Sequence, residues 1–229
     1  MKTFQELREG LNDPNIFKAF FLAGGPGSGK SYVVKKTTGG TGLQIVNSDD
    51  AFERYLKQAG ISLKMSTDDP RRDEIRDKAK KVIKKRQDNY VEGRLGLIID
   101  GTGKNFDKIA KQSNDLKQLG YDTHMIFVNT SLDVALERNA KRDRTVPESI
   151  AVQSWKEVQS NIGKFSQHFK QNFVVVDNND SSKKDSQVFN DVFKQIKGLL
   201  RKKVTSPLAK QWIMQQMKDR GITKAPKGF

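Results

Sequence analysis

Eight consecutive residues of this sequence have the composition and spacing of a phosphate-binding loop. The stretch Gly24-Gly25-Pro26-Gly27-Ser28-Gly29-Lys30-Ser31 fits the pattern G-x-x-x-x-G-K-S/T. An apolar run at 17–23 precedes it, and residues 32–36 can continue as a helix. A strand, a glycine loop and a helix in this order predict a nucleotide site rather than a plain glycine-rich turn.

The chemistry of this loop follows from its residue types. Glycines let backbone N–H groups approach phosphate oxygens closely, because no side chain blocks them. The loop then presents the phosphates to the positive N-terminal end of a helix. We therefore expect Gly24 through Ser31 to bind ATP, with Lys30 at the β- and γ-phosphates and the Ser31 hydroxyl as a ligand of Mg²⁺.

Paired carboxylates follow the second predicted strand. Asn47-Ser48-Asp49-Asp50 stands at the carboxyl end of that strand, where ligands of open α/β sheets bind. A carboxylate there can accept the proton of an attacking hydroxyl, and Asp49 is the predicted base. Asp50 is the alternative base or an acceptor contact. One of the two aspartates, with Asp50 the first choice, could instead simply cap the helix that follows.

A second acidic segment ends the third predicted strand. Leu97-Ile98-Ile99-Asp100-Gly101-Thr102-Gly103 resembles a Walker B segment, so Asp100 is a predicted Mg²⁺ ligand. Many strands end in Asp, and the interpretation therefore depends on the companion loop. Gly101-Thr102-Gly103 would let the backbone and the Thr102 hydroxyl approach an acceptor.

Two arginines follow the fourth predicted strand. Arg138 and Arg142 are four residues apart and so share one helical face. Their planar guanidinium groups suit charge that spreads over a transferred phosphoryl group, which makes this segment a candidate catalytic lid. A basic helix end on the surface could equally compensate the helix dipole.

Short apolar runs alternate with helical patterns along the chain, which predicts an α/β fold. We predict a P-loop NTPase-type three-layer sandwich with a mostly parallel five-stranded sheet, a helical lid and a C-terminal helical extension. The predicted strands are 19–23, 43–47, 96–100, 123–129 and 173–177. The predicted helices are 31–38, 50–60, 70–92, 106–120, 132–142, 148–163 and 187–203, and one more opens at Ser206.

Composition limits the functional classes. The chain has 229 residues, no cysteine and a formal net charge of +15, from 42 Lys and Arg against 27 Asp and Glu. No apolar run reaches the 18 residues of a membrane span, and a cytoplasmic protein is expected. Basic residues concentrate at 78–86, which is either a solvated helix face or a surface for a nucleic-acid acceptor.

Residues 1–203 read as a kinase-sized P-loop domain and residues 204–229 as a C-terminal helix and tail. The final helix has an apolar stripe. It either packs on the parent domain or docks a protein partner or a second copy of the chain. The stripe consists of Leu208, Ala209, Trp212, Ile213 and Met217.

With these residues in view, the chain resembles the P-loop kinases that unite zeta-type toxins with the kinase module of bacteriophage polynucleotide 5′-hydroxyl kinase. The resemblance covers 19–176. Asn47-Ser48-Asp49-Asp50 looks like the polynucleotide kinase segment whose first aspartate is the general base. Arg138 through Arg142, with Val146-Pro147, is similar to that family's lid, where both arginines serve catalysis.

Other features are closer to zeta-type toxins, which phosphorylate a nucleotide-linked amino sugar. These are Asp100-Gly101-Thr102-Gly103 and Trp155. An arginine that polynucleotide kinases use for the acceptor phosphate has no clean equivalent, because Glu53 stands near its place and Arg54 is next to it. Arg54 is therefore a candidate acceptor contact. The expected domain organisation differs from that of the best-known phage enzyme, in which a phosphatase module follows the kinase module.

The resemblance implies an ATP-dependent, Mg²⁺-requiring kinase of a bacterial or phage-infected cell. Its predicted acceptor is the 5′-hydroxyl of a polynucleotide, on the grounds of net charge and the paired aspartates. The alternatives are a UDP-linked amino sugar, or an NTP-dependent nucleic-acid-binding protein without kinase activity.

Overall fold

The computed structural model of the protein describes residues 10–39, 41–64, 69–142, 145–179 and 185–225. Its centre is a five-stranded sheet in the order β2-β3-β1-β4-β5, and every pairing is parallel. The strands are β1 Lys18–Ala23, β2 Gln44–Val46, β3 Leu97–Asp100, β4 Asp122–Asn129 and β5 Phe173–Asp177. The sequence therefore located all five strands, and the sheet is wholly rather than mostly parallel.

The sheet is buried on both faces because its strands are nearly continuous apolar runs. Every residue of β1 is buried, and successive side chains enter two separate cores. Ala19, Phe21 and Ala23 join the larger core, whereas Phe20 and Leu22 join the smaller one. β1 is thus a central strand with a covered face on either side.

Helices cover the two faces in two layers. The smaller core is closed by α1 and α8, and the larger core by α2, α3, α4, α7 and α9. This is the expected three-layer α/β sandwich. The helices are α1 Lys30–Thr38, α2 Ser48–Gln58, α3 Arg71–Glu92, α4 Phe106–Gln118, α5 Leu132–Ala140, α6 Glu148–Ser160, α7 Ile162–Phe169, α8 Asp185–Leu200 and α9 Pro207–Asp219.

The predicted helix 148–163 is in fact two helices that meet at Asn161. The Asn161 side chain is buried and donates hydrogen bonds to the carbonyl oxygens of Gly103 (3.0 Å) and Lys104 (2.8 Å). The second helix, α7, then buries Phe165 and Phe169 in the larger core. The predicted end at Gly163 lies close to this break, but the sequence pattern did not predict that a second helix would follow.

The C-terminal helix α9 packs on the larger core. Ala209 and Ile213 are fully buried there, and Trp212 and Met217 are partly buried against it. Leu208 of the predicted stripe is instead 52% exposed. The division at 203/204 stays a prediction, and the last tail residues, 226–229, lie outside the described residues.

Within the described residues, no helix combines the length and the apolar character needed to cross a bilayer.

Candidate active site

The glycine loop connects the carboxyl end of β1 to the start of α1 and is held in an unusual backbone conformation. Gly27 and Gly29 have φ angles of +79° and +81°, a region that other residues rarely adopt. A Cβ at Gly27 would collide with the Ala135 carbonyl oxygen, and one at Gly29 with the Asn178 side chain. The loop is therefore an open backbone cradle of the kind that phosphate groups enter.

The loop forms one wall of a cavity of about 410 Å³. Three other segments complete it: the start of α2, the end of β3 with the turn after it, and the lid region around α5. The cavity thus brings together every predicted site residue except Arg54. Its lining is Gly24, Gly25, Pro26, Gly27, Ser28, Gly29, Lys30, Ser31, Tyr32, Asn47, Asp49, Asp50, Glu53, Asp100, Thr102, Arg138, Arg142 and Val146.

Asp100 is the centre of a small polar network. One of its carboxylate oxygens pairs with Lys30 Nζ, and the other accepts a hydrogen bond of 2.9 Å from Asn47 Nδ2. The carboxylate is almost fully buried, so both contacts are charge-assisted bonds in a poorly solvated place. The predicted phosphate-binding lysine and the predicted metal ligand are therefore neighbours.

Asn47 also begins α2, which corrects the expectation that an aspartate would cap this helix. Its Oδ1 accepts hydrogen bonds from the backbone N–H groups of Asp49 (2.8 Å) and Asp50 (3.4 Å). Asn is among the best N-cap residues, and its single side chain satisfies the helix end. Neither carboxylate is needed for capping, and both line the cavity.

The carboxylates around α2 crowd one another. Partial burial raises the pKa of Asp50, and the nearby charges of Asp100, Glu53 and Asp49 raise that pKa further. Glu53, which sequence reasoning treated only as a departure from the family pattern, lines the same cavity. Such a concentration of negative charge favours cations and positively charged side chains at this edge.

Arg54 lies outside this cavity. It is exposed, and its guanidinium group stands 5.2 Å from the centre of the Tyr55 ring. Another arginine reaches the aspartates from α3: Arg76 Nη1 is 3.6 Å from Asp49 Oδ1. Sequence reasoning missed Arg76 because it is 27 positions away in a long helix that is basic on several faces.

The lid arginine is fixed by the loop after β5. Arg138 Nη1 donates a hydrogen bond of 2.7 Å to the Asn178 carbonyl oxygen. The buried Asn178 side chain in turn donates a hydrogen bond of 2.8 Å to the carbonyl oxygen of Ser28. Asn178 therefore joins the phosphate loop to the lid. The sequence could have indicated Asn178 as a site residue, because it directly follows a strand of a parallel sheet and ligands bind at that end of such a sheet.

The rest of the lid is tied down by Asn139. Its side chain donates to the Val146 carbonyl oxygen (2.7 Å) and accepts from the Val146 N–H (3.2 Å), so it closes the segment that carries Arg142. Trp155 of α6 lies against Gly25 of the phosphate loop and donates a hydrogen bond of 2.8 Å to Thr130 O. Both contacts position the loop and lid relative to each other.

A second cavity, of about 720 Å³, adjoins the first and shares Asp100 and Thr102 with it. It lies between α3 and α4. Lysines of α3, of α4 and of the turn before α4 line it. Six lysines and three carboxylates line it, and Asp77 and Glu157, outside the lining, pair with Lys80 and Lys104, so that a part of the positive excess is neutralised. The lysines are Lys80, Lys81, Lys84, Lys104, Lys108 and Lys111, and the carboxylates are Asp88, Asp100 and Asp115.

The residues present fit a nucleotide and a hard divalent cation. The Ser31 hydroxyl and the Asp100 carboxylate line the nucleotide cavity, and oxygen donors of this kind suit Mg²⁺. Within the described ranges no three His, Cys, Asp or Glu side chains form a metal cluster. Few protein ligands and several phosphate oxygens are the usual environment of nucleotide-bound Mg²⁺.

Comparison with known proteins finds similarity to a kinase, a toxin-antitoxin system and an RNA repair complex. A cytidylate kinase from Methanothrix thermoacetophila is 30% identical over 136 residues, which cover 57% of this chain and 67% of that protein. A structure of the PezAT toxin-antitoxin system of Streptococcus pneumoniae has a TM-score of 0.55 at 16% identity, covering 96% of this chain and 93% of that one. A chain of the Pnkp1/Rnl/Hen1 RNA repair complex has a TM-score of 0.51 at 19% identity, over 66% and 47%.

At such identities the structural likeness shows the fold alone. The assignment comes instead from a family model described as Zeta toxin, which matches residues 7–188. That match spans the phosphate loop, both acidic segments and the lid, and covers well over half of the chain. This chain therefore belongs to the zeta toxin family, and it is a P-loop phosphotransferase of the kinase type.

Proposed function

We propose that this protein transfers the γ-phosphate of ATP to a hydroxyl group held at Asp49. The convergence of the phosphate loop, the α2 carboxylates and the lid arginines on one cavity supports this reaction. The acceptor oxygen bonds to the γ-phosphorus while the bond to the β-γ bridging oxygen breaks, and ADP leaves with that electron pair. Asp49 accepts the proton of the hydroxyl.

The other residues bind and orient. Loop N–H groups and Lys30 hold the triphosphate, and Ser31 and Asp100 would hold Mg²⁺, which neutralises charge on the β- and γ-phosphates when bound. Arg138 and Arg142 stabilise negative charge on the transferred group. Asp100 is paired with Lys30 here, and a cation and a triphosphate would offer both of these side chains new partners.

For the acceptor we propose the 5′-hydroxyl of a polynucleotide. The observation that carries this choice is the lysine-lined cavity beside the nucleotide site, with six lysines against three carboxylates. A cavity of about 720 Å³ with lysines along both walls offers more cationic contacts than a single diphosphate uses. The chain also shares its fold with a protein of an RNA repair complex.

A nucleotide-linked amino sugar is the second candidate, and the family match favours it. Its diphosphate would also be attracted to lysines, but it would touch far fewer of them. The salt dependence separates the two acceptors, because each phosphate contact adds to the slope of log affinity against log salt. A polynucleotide should show a KM that rises steeply with salt, and a nucleotide sugar a KM that rises much less.

The direct test incubates the protein with γ-labelled ATP and three acceptor classes: 5′-hydroxyl oligonucleotides, nucleosides and UDP-linked amino sugars. Label on the oligonucleotides is the expected result, and label only on the sugar would establish the second candidate. Asp49→Asn should abolish transfer and leave ATP binding intact. Full ATP-dependent function in that variant would favour an NTP-dependent nucleic-acid-binding protein instead.

A further inference from the structure

One edge of the sheet is formed by a strand that is apolar and exposed on its outer side. This strand, β5, is five residues long, and within the described residues it pairs with β4 alone. Its sequence is Phe-Val-Val-Val-Asp, and the Val175 side chain is 50% exposed. An apolar edge strand of this length is open to pairing with a further strand.

The opposite edge of the sheet is protected in ways that proteins commonly use. Its strand, β2, has only three residues, and the basic helix α3 packs against it. Short edge strands and nearby lysines discourage pairing between molecules. By contrast, β5 contains no lysine, arginine, proline or glycine, and its single charge stands at its last residue, Asp177. Of the two edges, β5 is therefore the one that is left open.

The backbone of β5 presents its outward groups at alternate residues. Just beyond the strand, the Asn178 N–H donates a hydrogen bond of 2.9 Å to the Asn129 carbonyl oxygen of β4. Because successive residues of a strand point their N–H and C=O groups to opposite sides, those of Val175 and Asp177 point away from β4. In the part of the chain that the structure describes, the two groups of Val175 have no hydrogen-bond partner.

Opposite charges stand at the two ends of β5. Lys170 precedes the strand and Asp177 ends it, and both residues are exposed. Lys117 of α4 adds to the basic end: partial burial lowers the pKa of Lys117, and the Lys170 charge lowers it further. Across the described ranges no carboxylate forms a salt bridge with either lysine. A carboxylate brought to this end from another molecule would therefore meet two cations without counter-ions.

We propose that two copies of this chain pair through β5, as antiparallel strands related by a twofold axis at Val175. In this register each Val175 exchanges both backbone hydrogen bonds with its counterpart, and the Asp177 N–H donates to the Phe173 carbonyl oxygen of the other copy. The basic start of each strand then lies beside the acidic end of the other. Since the strands run in opposite directions, the two candidate active sites open at opposite ends and stay accessible.

The net charge of +15 opposes the association of two copies, but this charge is unevenly distributed. The basic cluster at 78–86 lies on α3 beside β2, which is four strand spacings, or about 19 Å, from β5. This separation exceeds two Debye lengths of about 8 Å at physiological salt. Repulsion from the cluster is therefore weak at the β5 edge. The short strand predicts a weak dimer with a Kd on the order of micromolar.

Sedimentation equilibrium of the whole chain tests the dimer directly. The mass should rise with concentration from 25.9 kDa toward twice that value. Raising NaCl from about 0.15 to about 0.5 M should leave Kd within about 3-fold, because salt screens the net repulsion and leaves backbone hydrogen bonds and valine contacts in place. Assembly on a nucleic acid would instead weaken by about 10-fold or more over this range.

Substitutions at the two edges locate the interface. Val175→Lys places like charges opposite each other on the twofold axis and should raise Kd at least about 10-fold. Ile45→Lys is the matched control, because Ile45 is a β-branched residue of the other edge strand and is 42% exposed. It should leave Kd within about 2-fold, since it lies outside the proposed interface. Melting temperatures establish that each variant is folded.

A charge exchange tests the proposed register. Lys170→Glu should weaken the dimer by about 3- to 10-fold, because an acidic start of the strand then meets the acidic end of the other copy. Adding Asp177→Lys to the same chain should restore Kd, since opposite charges meet again. A mere loss of folding in Lys170→Glu would not be rescued by the second change.

Four results would overturn the inference. A monomer at every concentration would do so, as would a dimer that survives Val175→Lys. Protection of the Val175 amide from hydrogen exchange in a monomer would mean that another segment of the same chain covers the edge. Association that requires added nucleic acid and is lost in salt would mean assembly on that polymer. None of these measurements needs phosphate transfer, so they judge the dimer separately from the proposed function.

Discussion

The two ends of the sheet each contain a lysine–aspartate pair, and the pairs differ in their surroundings. At the amino end, Lys18 of β1 pairs with Asp122 of β4 at 2.6 Å, and the Lys18 side chain is 3% exposed. The Thr205 hydroxyl donates a further hydrogen bond of 3.0 Å to Asp122. At the carboxyl end, Lys30 and Asp100 pair in the wall of a cavity.

The amino end is closed by packing. Phe17 is fully buried there, with its ring centre 5.5 Å from those of Tyr121 and Trp212. The carboxyl end instead gathers carboxylates, and partial burial together with the neighbouring negative charges raises the pKa of Asp50. We therefore expect the Lys18–Asp122 pair to be structural, because packed side chains surround it. The Lys30–Asp100 pair lines a cavity, where a ligand could give both side chains new partners.

Removal of Lys18 should have the largest effect on stability. Lys18→Met leaves the Asp122 carboxylate without its cation, and breaking a buried pair in this way costs about 3–5 kcal/mol. Chemical denaturation measures the change, and kcat of the folded fraction should stay within about 2-fold. A stability loss below about 1 kcal/mol would mean that the amino-end pair is no more structural than its counterpart.

The matched change at the other end should act on catalysis. Lys30→Met removes a charge from the γ-phosphate site and should lower kcat by at least about 100-fold, as loss of one oxyanion-stabilising donor does. The free energy of unfolding should also fall, because Asp100 is almost fully buried and keeps only the hydrogen bond from Asn47. Single-turnover kinetics and the same denaturation assay compare the two variants. A large loss of stability with intact phosphate transfer in Lys30→Met would mean that the Lys30–Asp100 pair is structural.

His124 should make the amino end sensitive to acid. Burial lowers the pKa of His124 to about 4, and the charges of Lys18 and Lys202 act in the same direction against Asp122. The unfolded chain binds a proton near pH 6.5, so stability is complete above that pH and falls as the pH drops toward 4. The loss approaches about 3 kcal/mol.

Thermal unfolding between pH 7.5 and 4.5 measures this effect. His124→Phe preserves a ring on Phe20, which stacks on His124 with ring centres 4.9 Å apart, and should reduce the acid sensitivity. An unchanged pH profile in the variant would assign the sensitivity to other groups.

Asp50 should give the smallest effect. Its pKa is raised, so the unfolded chain ionises first and the ionised carboxylate lowers stability above that raised pKa. Asp50→Asn should raise the melting temperature near pH 7 by about 1 °C and have no effect near pH 3. Asp50 is only partly buried, and exposure to solvent keeps the gain small. Calorimetry at the two pH values compares them, and a gain at pH 3 would contradict this account.

Much of the fold followed from local patterns in the sequence. Apolar runs located all five strands, and the order of motifs placed the loop, the aspartates and the lid arginines at one edge of the sheet. The features that the sequence did not reveal depend on contacts between segments that are far apart in the chain. Asn178 is 150 positions from Ser28, and Arg76 reaches Asp49 from another helix. The break at Asn161 likewise depends on carbonyl groups near Gly103.

The close approach of Gly27 to Ala135 has a mechanical consequence. The loop can lie this close to the Ala135 carbonyl group of α5 only because position 27 has no side chain. The same helix carries Arg138, one of the two predicted lid arginines. A side chain at position 27 would therefore displace α5 from the loop and carry Arg138 away from the phosphate-binding residues.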